Sequence, residues 1–180
     1  MNASIEPVIH FTNSKTLRLE KGDLTALDVE AVVLYAREDL QLGNGFGSAV
    51  KARGGLRIQE ELDRIGSLAM GDAVVTSAGS MRMRYLIHAC GPKFQEPELE
   101  PKLRRCVWAA LEAAASQNCR SLAFPPMGAG FYGVPLELSA RVMLESIRNF
   151  IAHPCSLEEL TICVIDGREF HAFQSLLPVA

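Results

Sequence analysis

Two segments of this chain have the residue types and spacing to hold an anion. Gly43-Asn44-Gly45-Phe46-Gly47 follows the apolar run Ala31-Val32-Val33-Leu34, and Gly128-Ala129-Gly130-Phe131-Tyr132-Gly133 follows Leu122-Ala123-Phe124-Pro125. Glycine lets main-chain N–H groups approach a bound oxygen, and the helix behind such a loop adds the positive end of its dipole. One loop of this kind is as readily a tight turn, whereas two in one domain point to a diphosphate held from both sides. Asp23, in Gly22-Asp23-Leu24-Thr25, lies in a loop near a strand and offers a third wall.

The other reactive side chains are scattered. The five cysteines (Cys90, Cys106, Cys119, Cys155 and Cys163) are odd in number, irregularly spaced and without a C-x-x-C pair, so no metal site or redox dithiol is expected. Cys90 and Cys163 fall in apolar runs as small buried hydrophobes, and reduced thiols fit a cytoplasmic setting. His88, inside Tyr85-Leu86-Ile87-His88-Ala89-Cys90, reads as a satisfied strand histidine rather than a ligand or base.

The elements that must position these loops follow from hydrophobic periodicity. Residues 16–21 alternate as an exposed or edge strand does, and 31–36, 73–76, 85–88, 121–124 and 160–165 are further strands. Residues 46–65 read as a helix interrupted at Gly54-Gly55. Residues 98–117 form the clearest helix, its stripe made by Leu99, Leu103, Val107, Ala110, Leu111 and Ala114. Pro135 suits the first turn of a helix running to about Ala152, and 168–177 form a terminal helix. Strands alternating with helices predict a three-layer α/β/α sandwich with a central mixed β-sheet. Ligands of such sheets sit where strand carboxyl ends enter loops, which is where both glycine-rich segments lie.

A chain of 180 residues, 48% hydrophobic and 22% charged, without a Pro/Gly/Ser-rich linker or internal repeat, predicts one domain over residues 1–180. Its net charge of −3 and the lack of a basic-aromatic stripe argue against nucleic acid as a partner. No apolar run has the length of a membrane span, and residues 1–11 lack the pattern of a secretory signal.

With the loops placed, the chain resembles the macrodomain family of ADP-ribose-binding modules over roughly residues 17–176. Gly22-Asp23-Leu24-Thr25 is similar to the family's G-D-[IL]-T, and Gly71 to Gly79 is similar to its G-x-a-x-x-T-x-[AG]-G strand. Tyr85 to Pro92 resembles Y-[VI]-I-H-x-x-G-P. Ser121 to Pro125 followed by Gly130-Phe131-Tyr132-Gly133-Val134-Pro135 resembles s-[IL]-A-F-P…G-[IVF]-[YF]-G-x-P. The order and spacing of these blocks carry the resemblance. It implies that Asp23, beside Leu24, accepts a hydrogen bond from the adenine amino group, as an acceptor-only carboxylate can; a turn or capping role is the alternative. It further implies a first phosphate loop of Asn44, Gly45, Phe46 and Gly47, and a second of Gly128, Ala129, Gly130, Phe131 and Tyr132, with Tyr132 near the distal ribose. Phe170 would contact adenine or pack in the core. No cofactor is implied.

The departures bear on activity. Where many ADP-ribose-processing members carry N-A-A-N, this chain has Leu34-Tyr35-Ala36-Arg37, and the hydrolase-associated aspartate position corresponds to Gly47. A cation replaces a short amide at Arg37, and a glycine has no side chain to orient water. Arg37 can add a charge-assisted contact to the diphosphate, fill the distal-ribose pocket, or pair with Glu38 or Asp39. Lys51 follows the first loop as a lysine does in a glutamate-releasing branch of the family, and so is a candidate nucleophile; a solvated helix lysine is its plainer role. The expected function is therefore binding of ADP-ribose or a related adenine diphosphate, free or on an ADP-ribosylated protein. The alternatives are an ADP-ribosyl hydrolase or O-acetyl-ADP-ribose deacetylase with a non-standard site, and a ligand-free interaction module with a decayed pocket.

Overall fold

The structure, a computed structural model, describes residues 8–11, 14–43 and 45–177. Seven strands form one sheet: β1 (Val8–His10), β2 (Thr16–Lys21), β3 (Ala31–Ala36), β4 (Ala73–Ser77), β5 (Tyr85–Cys90), β6 (Ser121–Phe124) and β7 (Glu159–Val164). Their spatial order is β1-β2-β7-β6-β3-β5-β4. The five inner strands are parallel, and antiparallel β1 and β4 close the two edges. The five parallel strands therefore deliver their carboxyl ends to one side of the sheet, the position expected for a ligand site.

Strand side chains alternate between two cores, as the period of two requires. Val33, Ile87, Leu122 and Ile162 face one core; Val32, Leu34, Leu86 and Ala123 face the other. Helices α3 (Leu99–Ser116), α4 (Leu136–Ile151) and α5 (Gly167–Gln174) pack on the first, and α1 (Phe46–Gly54) and α2 (Leu56–Ile65) cover the second. This is the three-layer α/β sandwich with a mixed sheet. The expected α3 stripe is buried from Leu103 through Ala114, each residue contributing roughly 1–3 kcal/mol in proportion to its apolar surface, while Leu99 is half-buried. Gly55 caps α1 and opens α2, so the interruption lies where the glycine pair predicted it.

Two expectations need correction. Residues 16–21 form a strand, but not an edge: β1, which the periodicity did not mark, pairs with β2 through Val8, Ile9 and His10. Pro135 is the N-cap of α4 rather than part of its first turn. Among the described residues, no helix is long and apolar enough to cross a membrane.

Candidate functional site

The carboxyl ends of β2, β3, β6 and β7 open into one cleft of about 640 Å³. Asp23 and Leu24 line it from the turn after β2, and Gly45, Phe46 and Gly47 from the start of α1. Arg37 enters from the end of β3, and Gly128, Gly130, Phe131 and Tyr132 from the loop after β6. The fold thus brings most of the expected ligand residues together. Two fall elsewhere: Ala129 lines neither this cleft nor its neighbour described below, and Lys51 is exposed on α1 and also lines neither; Asn44 lies outside the described residues.

Both loops present unengaged donors. Phe46 and Gly47 open α1, where N–H groups have no intrahelical acceptor. The loop after β6 is closed by Gly133 N–H to Gly130 O (3.1 Å) and Val134 N–H to Gly128 O (2.9 Å). This leaves the amides of Gly130, Phe131 and Tyr132 without a protein acceptor among the described residues. Successive free amides in a turn make an anion-binding concavity. The second wall differs from expectation here, because its donors come from the loop itself. Pro135 and Leu136, at the mouth of α4, do not line the cleft.

In the turn after β2, Asp23 caps a short 3-10 helix, Leu24–Ala26. Its Oδ1 accepts from Thr25 N–H (2.9 Å) and the Thr25 hydroxyl (2.6 Å), while Oδ2 meets Arg53 Nη2 at 2.8 Å. The Thr25 hydroxyl, helped by the Thr25 N–H and Arg53, holds the carboxyl below its usual range, so it stands ionised and acceptor-only. The capping role is therefore realised, and Asp23 at the same time lines the cleft. Sequence reasoning missed Arg53, Ile165 and Glu169 in this wall. Glu169 is buried and accepts from Ile165 N–H (2.9 Å), while Phe170 packs on the core instead of lining the cleft.

Tyr35, in the place of an alanine of the N-A-A-N pattern, holds the middle of the site together. Its hydroxyl donates to Pro92 O, and its ring lies 4.7 Å from that of Tyr132. Burial pushes its phenol far above the usual range, so it remains a neutral donor. The ring fits because glycines flank it: a Cβ on Gly91 would overlap the Tyr35 ring, and one on Gly128 would lie 3.0 Å from it. Arg37 takes one of its three expected roles. It forms a two-pronged pair with Asp39, Nε to Oδ1 at 2.9 Å and Nη2 to Oδ2 at 2.6 Å, at the cleft rim. Beyond Arg37 and Tyr132 lies a second cavity of about 450 Å³, which shares Ala36, Arg37, Phe131 and Tyr132 with the first.

The remaining titratable groups behave as packed interior. His88 is 1% exposed, with Nε2 2.9 Å from Thr76 Oγ1, and burial lowers its pKa to about 4. Burial pushes the Cys90 thiol up to about 11 and that of Cys163 to about 12. Among the described residues no His, Cys, Asp or Glu cluster could hold a metal.

A macro domain model matches residues 35–143. A macro domain-containing protein of Listeria monocytogenes is 35% identical over 165 residues, covering 87% of this chain and 94% of that one. The chain belongs to the macro domain family. A protein of Thermotoga maritima is 38% identical over 92% of this chain, which spans 29% of that protein's length. Among solved structures, the Oceanobacillus iheyensis macrodomain with ADP superposes with a TM-score of 0.88 at 24% identity, covering 96% of this chain and 95% of that one. A variant of the same protein with ADPR gives 0.89 at 23% identity, covering 94% and 95%. At these identities the superpositions establish a shared macrodomain fold.

Proposed function

We propose that residues 1–180 form one cytoplasmic macro domain that binds ADP-ribose or a related adenine diphosphate. The observation that carries this reading is the cleft itself, which is lined both by the loop bearing the unengaged amides of Gly130, Phe131 and Tyr132 and by the opening turn of α1. Two sets of N–H donors suit a diphosphate, and the α1 dipole adds to one of them. Asp23 lines the same cavity, where an ionised acceptor selects an exocyclic amine. The ligands named for the Oceanobacillus macrodomain structures, ADP and ADPR, support the same chemistry.

Binding is favoured over hydrolysis by three placements. Lys51 is outside the cleft, Arg37 is held by Asp39, and Gly47 has no side chain with which to orient water. The reduced cysteines fit the cytoplasm, and the acidic net charge argues for a modified protein rather than nucleic acid as the macromolecular partner.

Titration calorimetry with ADP-ribose tests the assignment. Asp23→Asn keeps an oxygen for Thr25 but turns an N–H pair toward the adenine amine and Arg53. Loss of a hydrogen bond to a charged group predicts roughly tenfold or greater weakening. Unchanged affinity would remove Asp23 from base recognition, and no binding by the wild-type chain would overturn the function.

A further inference from the structure

The smaller cavity has its own chemistry. Its lining includes the apolar Met70, Cys90 and Gly91, and Ala36, Arg37, Phe131 and Tyr132 border both it and the larger cleft. At its mouth Arg37 and Asp39 neutralise each other, and Glu96 pairs with Lys102 at 3.6 Å. Exposed Glu38 and Lys93 remain, one of each sign, with no ion pair among the described residues. Phe131, 69% exposed, lines the cavity; Phe94, 51% exposed, does not line it but joins the same loop. Phe94 donates its N–H to Tyr132 O (2.9 Å).

We propose that this cavity is a subsite for the peptide segment to which the terminal ribose of the nucleotide is joined. The inference rests on the nucleotide occupying the larger cleft, with adenine at Asp23 and the terminal ribose toward Tyr132. The covalent link then passes between Arg37 and Tyr132, two of the four residues common to both cavities. At about 450 Å³ the cavity lies within the ordinary range of ligand pockets and exceeds what a lone acetyl group fills. Charges of both signs beside the exposed Phe131 ring suit a polypeptide, with its mixed donors, acceptors and apolar groups; the carboxylates of Glu38 and Asp39 disfavour a polyanion.

The test compares free ADP-ribose with ADP-ribose joined to a short synthetic peptide through a hydrolysis-resistant linkage. The conjugate is expected to bind roughly tenfold more tightly. Met70→Trp, which fills the subsite alone, is expected to bring the two affinities within about twofold without weakening free ADP-ribose. A measurement on the wild-type chain removes dependence on the folding of that variant: the Met70 methyl NMR signal should move with the conjugate and stay fixed with free ADP-ribose. The proposal is overturned if free ADP-ribose binds but the conjugate gains nothing, or if the Met70 signal stays fixed with the conjugate. It is also overturned if an RNA oligonucleotide or O-acetyl-ADP-ribose moves that signal equally. Failure of free ADP-ribose itself to bind would instead overturn the nucleotide assignment, and this subsite with it.

Discussion

Two glycines of the second loop separate stability from binding. Gly128 has φ +74°, and a Cβ there would lie 2.7 Å from Val134 Cγ2 and 3.0 Å from the Tyr35 ring and hydroxyl. Forcing an L residue into this left-handed conformation costs about 1–2 kcal/mol, and overpacking adds about 1–3 kcal/mol. Gly128→Ala should therefore lose about 2–5 kcal/mol, an expected fall in Tm of roughly 5–15 °C for a chain of this size. Gly130 has open space at its Cβ position and lines the cleft. Gly130→Ala should hold its Tm within about 2 °C while weakening ADP-ribose, because the new methyl stands where the diphosphate approaches. Calorimetric melting and ligand titration on both variants provide the assay. A Gly128→Ala protein as stable as wild type would refute the packing argument around Tyr35. Full affinity in Gly130→Ala would refute close approach of the ligand to this loop.

Further outcomes follow from the same geometry. Tyr35→Phe strands the carbonyl of Pro92 and should cost about 1–2 kcal/mol in urea denaturation; no loss would show that water replaces the phenol. His88, with a pKa lowered to about 4 by burial, binds its proton more weakly folded than unfolded. Stability should therefore be full above about pH 6.5, the ordinary histidine value, and fall by up to about 3 kcal/mol as pH drops to about 4. Denaturation curves across that window, repeated on His88→Gln, should show the slope and its reduction; an identical slope in both would assign it elsewhere. Arg37→Ala breaks an exposed pair with Asp39, so melting should change by less than about 1 kcal/mol, and a larger loss would mean that Arg37 braces the rim.

The sequence made the layered fold legible because its inner strands are continuous apolar runs and its helices keep one buried stripe. It left β1 unread because Val8–His10 is too short for a period to register. Both glycine-rich loops were legible as local chemistry, whereas their partners were not. Arg53 meets Asp23 only because α1 folds back over the turn after β2, a contact between residues with no sequence pattern in common. Tyr35 reads as another apolar strand residue until Gly91 and Gly128 converge on its ring, and the second cavity exists only where β3, β5 and the loop after β6 meet.

If main-chain amides from two elements lining one cleft hold the diphosphate, amide-resolved NMR during titration with ADP-ribose reads both sets of donors without any substitution. The N–H signals of Phe46 and Gly47, together with those of Gly130, Phe131 and Tyr132, should shift as one saturable set. Saturable binding that leaves either group unmoved would contradict it.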